Sequence, residues 1–179
     1  MPELYVCYLP ADSKVLANSV LNKLATWWVG APVDGRTQPM IHCELFFPSA
    51  ARSSTLAAFD GKSCGIHYNG VAFFNDKRFS RDTWTFRALH VTDAQYAQTR
   101  AFCQRVADER HTFNKRGYFC GLAKPDKQWY CSQLVGTALR ECGVVDLTDQ
   151  QISHPEHLYT ALMQHTYLDT VRDINNVTF

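Results

Sequence analysis

The sequence predicts an α+β fold, and three observations carry that expectation. The first half holds short apolar segments with two-residue alternation, most legibly Met40 to Phe47. An Asn69-Gly70 pair separates two further segments of this kind, a strong short-range hairpin signal. In the second half the apolar residues move to three- and four-residue spacing, as in Leu134, Val135, Ala138, Leu139 and Cys142. Strands followed by helices suit an antiparallel sheet packed against helices. At 179 residues, a single domain spanning 1–179 with a substantial core is expected.

Taken in order, Leu4 to Leu9 reads as a buried strand closed by Pro10, and Asp12 or Ser13 caps a helix running to about Val29. Gly30 to Pro39 is a loop. On the Met40–Phe47 strand, Ile41, Cys43, Leu45 and Phe47 point one way and Met40, His42, Glu44 and Phe46 the other. A weaker strand is expected at Leu56 to Phe59, with a turn at Asp60-Gly61. Cys64 to Tyr68 and Val71 to Phe74 flank the Asn69-Gly70 turn, and Thr83 to Val91 forms another strand. Thr92 or Asp93 caps a helix from about Ala94 to Arg110, followed by a loop around Asn114 to Gly117. The next helix runs from about Tyr130 to Glu141 and stops at Gly143. A last helix starts near Pro155, which suits the first helical position, and continues to about His165, with a short strand at Tyr167 to Val171.

Composition narrows the function classes. A formal net charge of +1 without a basic stripe gives no nucleic-acid partner. No window of eighteen apolar residues is present, so no transmembrane segment is expected. The N-terminus lacks a basic stretch followed by an apolar one, so no secretory signal is read. Seven cysteines, an odd number with no CxxC pair, suit free thiols in a reducing, cytoplasmic setting.

The chemistry centres on Gln128-Trp129-Tyr130-Cys131-Ser132-Gln133-Leu134-Val135, where a polar loop becomes an apolar helix. A thiol in the first helical turn faces unpaired backbone N–H groups and the positive end of the dipole, which favour the reactive thiolate. Cys142 sits at the opposite end, where the dipole disfavours it. Cys131 also begins an apolar stripe, and a buried cysteine acting as a small hydrophobe is the ordinary alternative. His42 and Glu44 share a strand face with Cα atoms roughly 6.5–7 Å apart. A histidine there can serve a thiol as base, and the carboxylate can orient its ring. A solvated outer face is the ordinary alternative for this pair. Asp60, His67 and Asn69, on later segments, compete with Glu44 for the third polar role. Ser153-His154-Pro155-Glu156-His157 has HxxH spacing, but proline at the helix start and the absence of paired cysteines argue against zinc, so no metal or cofactor is expected. His90 and His111 suit a strand edge and a helix end. The Asn176-Val177-Thr178 sequon is read as accidental.

His42-Cys43-Glu44 on a strand, Trp129-Tyr130-Cys131-Ser132-Gln133-Leu134-Val135 opening a helix, and Pro155-Glu156-His157-Leu158-Tyr159 beyond it together resemble circularly permuted NlpC-like papain-fold hydrolases. In ordinary papain-like enzymes the cysteine precedes the histidine; here the order is reversed, as a permuted chain requires. That family has members in bacteria, phages and large DNA viruses including poxviruses, with lecithin–retinol-type lipid acyltransferases as relatives. The resemblance implies a permuted papain-like core, Cys131 as nucleophile, His42 as base and Glu44 as orienting group. It also implies a peptide or lipid-acyl substrate, and a host-cytoplasmic location if the chain is viral. The competing expectation is a binding module that keeps the fold and its groove without turnover.

Overall fold

The computed structural model describes residues 1–13, 32, 35–49, 58–120, 125–164 and 171–173. The helix expected after Asp12 or Ser13 and most of the Tyr167–Val171 segment lie outside them. The fold is α+β. Strands β1 (Glu3–Pro10), β2 (Met40–Pro48), β3 (Ala58–Gly65), β4 (Phe73–Ser80) and β5 (Thr85–His90) form one antiparallel sheet in the order β4-β3-β2-β1-β5, and β8 (Val171–Asp173) extends it beyond β5. The described helices are α1 (Asp93–Asp108), α2 (Lys115–Cys120), α3 (Cys131–Glu141) and α4 (Pro155–Gln164). Two short strands, β6 (Thr112–Phe113) and β7 (Gln128–Trp129), pair in parallel.

Both faces of the sheet are apolar. Leu4, Val6 and Tyr8 of β1 and Cys43, Leu45 and Phe47 of β2 meet Leu134, Val135, Ala138 and Leu139 of α3. Each of these fully buried aliphatic side chains contributes roughly 1.5–3 kcal/mol. Tyr5, Cys7 and Leu9 point to the other face, with Phe46, Phe79, Trp84 and Phe86. The alternation expected of the Met40–Phe47 strand fails at its start. The register slips between Leu9 and Pro10, so that Leu9 pairs with His42 and Pro10 with Met40. Ile41 is thus the extra residue of a bulge. Met40 joins the helix-side core, and Ile41 packs with Tyr118 and Tyr130.

Three other expectations are corrected. No turn forms at Asp60-Gly61: β3 runs through it, pairing Gly61 with Pro48 and Lys77. A Cβ on Gly61 would lie 2.2 Å from the Phe47 carbonyl oxygen, so this glycine permits close strand approach. Asn69-Gly70 does turn the chain, with Asn69 at φ 62°, but the pairing runs from Gly65↔Phe73 to Ala58↔Ser80. The Ile66–Ala72 loop is held open because Ala72 N–H donates to the His111 carbonyl and Phe113 N–H to that of Gly70. The charged run Asn75-Asp76-Lys77-Arg78, to which no element was assigned, therefore belongs to strand β4. Finally, the segment near Asn114 to Gly117 begins helix α2, where the Asn114 side chain accepts the Gly117 N–H at 2.8 Å.

Two of the expected helix ends are present. Thr92 and Gln95 form a reciprocal capping box on α1, and Gly143 ends α3 at φ 63°. No described helix is long and apolar enough to cross a membrane.

Candidate active site

The approach to Cys131 is fixed from two sides. The β6–β7 pair fixes the approach to α3: Thr112 N–H donates to the Lys127 carbonyl and Asn114 N–H to that of Trp129. The Trp129 indole donates to His111 Nδ1 at 2.6 Å, while His111 Nε2 lies 3.0 Å from Glu109 Oε2. His111 is thus a locked structural histidine, a role its sequence position did not show. The chain then leaves Tyr130 in extended backbone as N-cap, without a side-chain cap, and Cys131 opens α3. From the other side, Glu156 of α4 anchors the start of β2. Its carboxylate accepts the Met40 N–H at 2.8 Å and pairs with Arg36 at 2.6 Å.

Strand β3 pairs with β2 only from Leu45 onward, which leaves, among the described residues, an open edge beside His42 and Cys43. The Cys131 sulfur uses that edge. It lies close enough to the Cys43 thiol, the Cys43 backbone N–H and the His42 imidazole for each of them to favour its negative charge. The helix-start thiol and the His42/Glu44 face, on opposite sides of the sheet, meet around this edge.

Behind His42 lies Glu44, at 0% exposure. His42 Nε2 is 3.1 Å and His67 Nε2 3.4 Å from Glu44 Oε1. Ser63 Oγ donates to Oε2 at 2.6 Å, and Lys77 Nζ donates to both oxygens, at 2.6 and 2.7 Å. Gly65 makes room for this carboxylate, because a Cβ there would approach Glu44 Cγ to 2.8 Å. Of the residues considered for the third position, Glu44 meets His42, and His67 shares the same carboxylate. Asp60 instead pairs with Arg78 at 3.5 Å, and Asn69 is the turn residue.

The electrostatics follow from these contacts. The Cys131 thiol is held well below its usual range, first by the hydrogen bond from Cys43, against an opposing burial penalty, and then by the charge of His42. Burial alone would lower His42, but the negative Cys131 sulfur and then Glu44 raise it to about 9. Burial pushes Glu44 up, yet the bonds from His42 and His67 and the charges of His42 and Lys77 keep it well below the carboxylate range. Cys43 moves the other way: burial and its bond to Cys131 raise it, so it stays a thiol and donates. These directions favour a thiolate–imidazolium pair backed by a buried carboxylate. Replacing Cys43 with alanine removes one donor and should move the lower limb of Cys131 alkylation with iodoacetamide to higher pH. An unmoved limb would show that the backbone N–H and His42 suffice.

Among the described residues, His42, Glu44 and His67 also have metal-binding spacing, their ligand atoms lying within 4.8 Å of one another. Both Glu44 oxygens are already bonded to the Lys77 ammonium, so the carboxylate is neutralised without a metal. In the HxxH segment, His157 Nδ1 bonds Ser153 Oγ at 2.7 Å, and His154 is lowered to about 4 by burial and by the charge of His157.

The sequence reading missed Lys77, Ser63 and the donor role of Cys43. It also missed Tyr118 and considered His154 only for its HxxH spacing, although both are close enough to Cys131 to feel its charge. The signal for Lys77 was present, since it alternates with Phe79 at two-residue spacing, but no element was assigned to that charged run. No protein-family model, curated protein or solved structure matches the chain.

Proposed function

We propose that the protein is a cysteine-dependent hydrolase or acyltransferase with a permuted papain-like core. One observation carries the reading: a thiol at the first position of a core helix lies within electrostatic reach of an imidazole whose Nε2 is 3.1 Å from a fully buried carboxylate. With Nε2 turned to Glu44, the other ring nitrogen of His42 is the one left to serve the thiol.

In this mechanism the Cys131 thiolate attacks the carbonyl carbon of an amide, ester or thioester. The carbonyl oxygen becomes an oxyanion, held by the Cys131 backbone N–H at the uncapped start of α3. His42 gives its proton to the departing amine, alcohol or thiol, and an acyl-thioester remains on Cys131. His42, now neutral, takes a proton from water or another acceptor, which attacks the thioester and restores the thiolate. Glu44 fixes the ring and stabilises the imidazolium throughout.

The experiment is iodoacetamide alkylation of Cys131 against pH, combined with turnover of activated acyl esters and peptides. Alkylation should persist well below the ordinary thiol pKa of about 8.5 and lose that property in His42→Ala. Turnover should be bell-shaped. Its lower limb reports formation of the thiolate, and its upper limb, near pH 9, reports loss of the His42 proton needed by the leaving group. An ordinary thiol with no dependence on His42 would instead leave a non-catalytic module that keeps the fold.

A further inference from the structure

We propose that Lys77 is a positioning residue of this site, its caged ammonium neutralising Glu44 and so setting how firmly His42 keeps its proton. The inference rests on the thiol-enzyme reading and deepens it.

The ammonium is built in rather than laid on the surface. Nζ donates to both Glu44 oxygens and faces the rings of Phe79 and Trp84, each 4.8 Å from its centroid, with Phe73 at 5.8 Å. Such rings attract a cation through their negative faces. The same rings flank the two imidazoles: Trp84 lies edge-on to His42 at 6.1 Å, and Phe73 is 4.9 Å from His67. The strand register holds the assembly together. Asn75 pairs with Ser63, whose hydroxyl also reaches Glu44, and Lys77 pairs with Gly61.

The consequence is electrostatic. Three groups converge on Glu44 Oε1: Lys77, His42 and His67. A carboxylate facing His42 alone would strengthen the imidazolium and make it a reluctant acid. An ammonium on the same carboxylate cancels much of that pull, so Glu44 still orients the ring while the proton stays transferable. The groups facing His42 from the surrounding elements are Cys131 on α3, Glu44 on β2 and His67 on the β3–β4 loop. Lys77 on β4 and Cys7 on β1 act through Glu44.

The test is an NMR titration of the His42 ring in the full chain, paired with turnover of an activated ester. In Lys77→Met the His42 midpoint should rise by about one pH unit or more, the size of shift a single neighbouring charge produces. The upper limb of turnover should follow it, and the plateau rate should fall. Lys77→Arg, whose fork reaches both carboxylate oxygens, should restore the wild-type midpoint. A merely structural lysine would change stability and leave the midpoint in place. Lys77→Gln removes the charge but keeps a donor and serves where methionine prevents folding; the same rise is expected. A raised wild-type midpoint that stays put in the folded Met or Gln variant overturns the role of Lys77 alone. An ordinary wild-type midpoint with ordinary Cys131 alkylation overturns the enzyme reading itself.

Discussion

Alanine at His42 should reduce turnover roughly 100- to 10,000-fold while leaving the fold intact, the range expected for loss of one positioned acid–base group. The fold should survive because His42 lies beside the open edge of β2, where no β3 ladder bond is lost, and its side chain remains 15% exposed. The loss should be unequal across the profile. Without the imidazolium the Cys131 sulfur loses the positive charge that favours its thiolate, leaving Cys43 to act on it. The lower limb should therefore move to higher pH as the maximum falls. Stopped-flow alkylation and steady-state turnover on the same sample separate the two effects. Lost turnover with unchanged thiolate formation would mean that His42 acts only on the leaving group. Unchanged turnover would remove His42 from the mechanism.

The site was legible in the sequence wherever local geometry decides side-chain direction. The two-residue period put His42 and Glu44 on one face, and the shift to helical spacing put Cys131 at a helix start; both are observed. What stayed hidden depends on contacts made across strands. Lys77 meets Glu44 only because β3 and β4 pair from Gly65↔Phe73 to Ala58↔Ser80, a register set by a seven-residue loop rather than by the Asn69-Gly70 pair alone. Gly61 reads locally as a turn, yet it packs against Phe46 and Phe47 inside the sheet. The bulge at Ile41, which sends Met40 to the helix side, likewise arises from pairing with β1 across the Leu9–Pro10 irregularity. Local pattern thus fixed which residues share a face, and tertiary pairing chose their partners.

Glutamine at Glu44 should be the most destabilising conservative change in the site. It leaves the size of the side chain but strips the negative charge from a group with no solvent contact that bonds Lys77, Ser63, His42 and His67. Breaking a buried ion pair from one side costs about 3–5 kcal/mol, and Lys77, 28% exposed, can recover part of its hydration, so the lower end applies. About 3 kcal/mol corresponds to a Tm lower by roughly 6–12 °C for a chain of this size. The pH dependence gives the effect its signature. Glu44 is depressed in the folded state, so its contribution is fully present above the unfolded carboxylate pKa of about 4.3 and is lost as pH falls toward the folded value. The gap in stability between wild type and Glu44→Gln should therefore be largest between about pH 5 and 6, narrow below about 4, and also shrink as pH rises from about 6.5 toward 9, where the part that Glu44 contributes through the raised His42 is lost. Urea melts at several pH values measure it directly. A gap that stayed constant into acid would mean that the carboxylate charge contributes nothing, and that packing alone accounts for the loss.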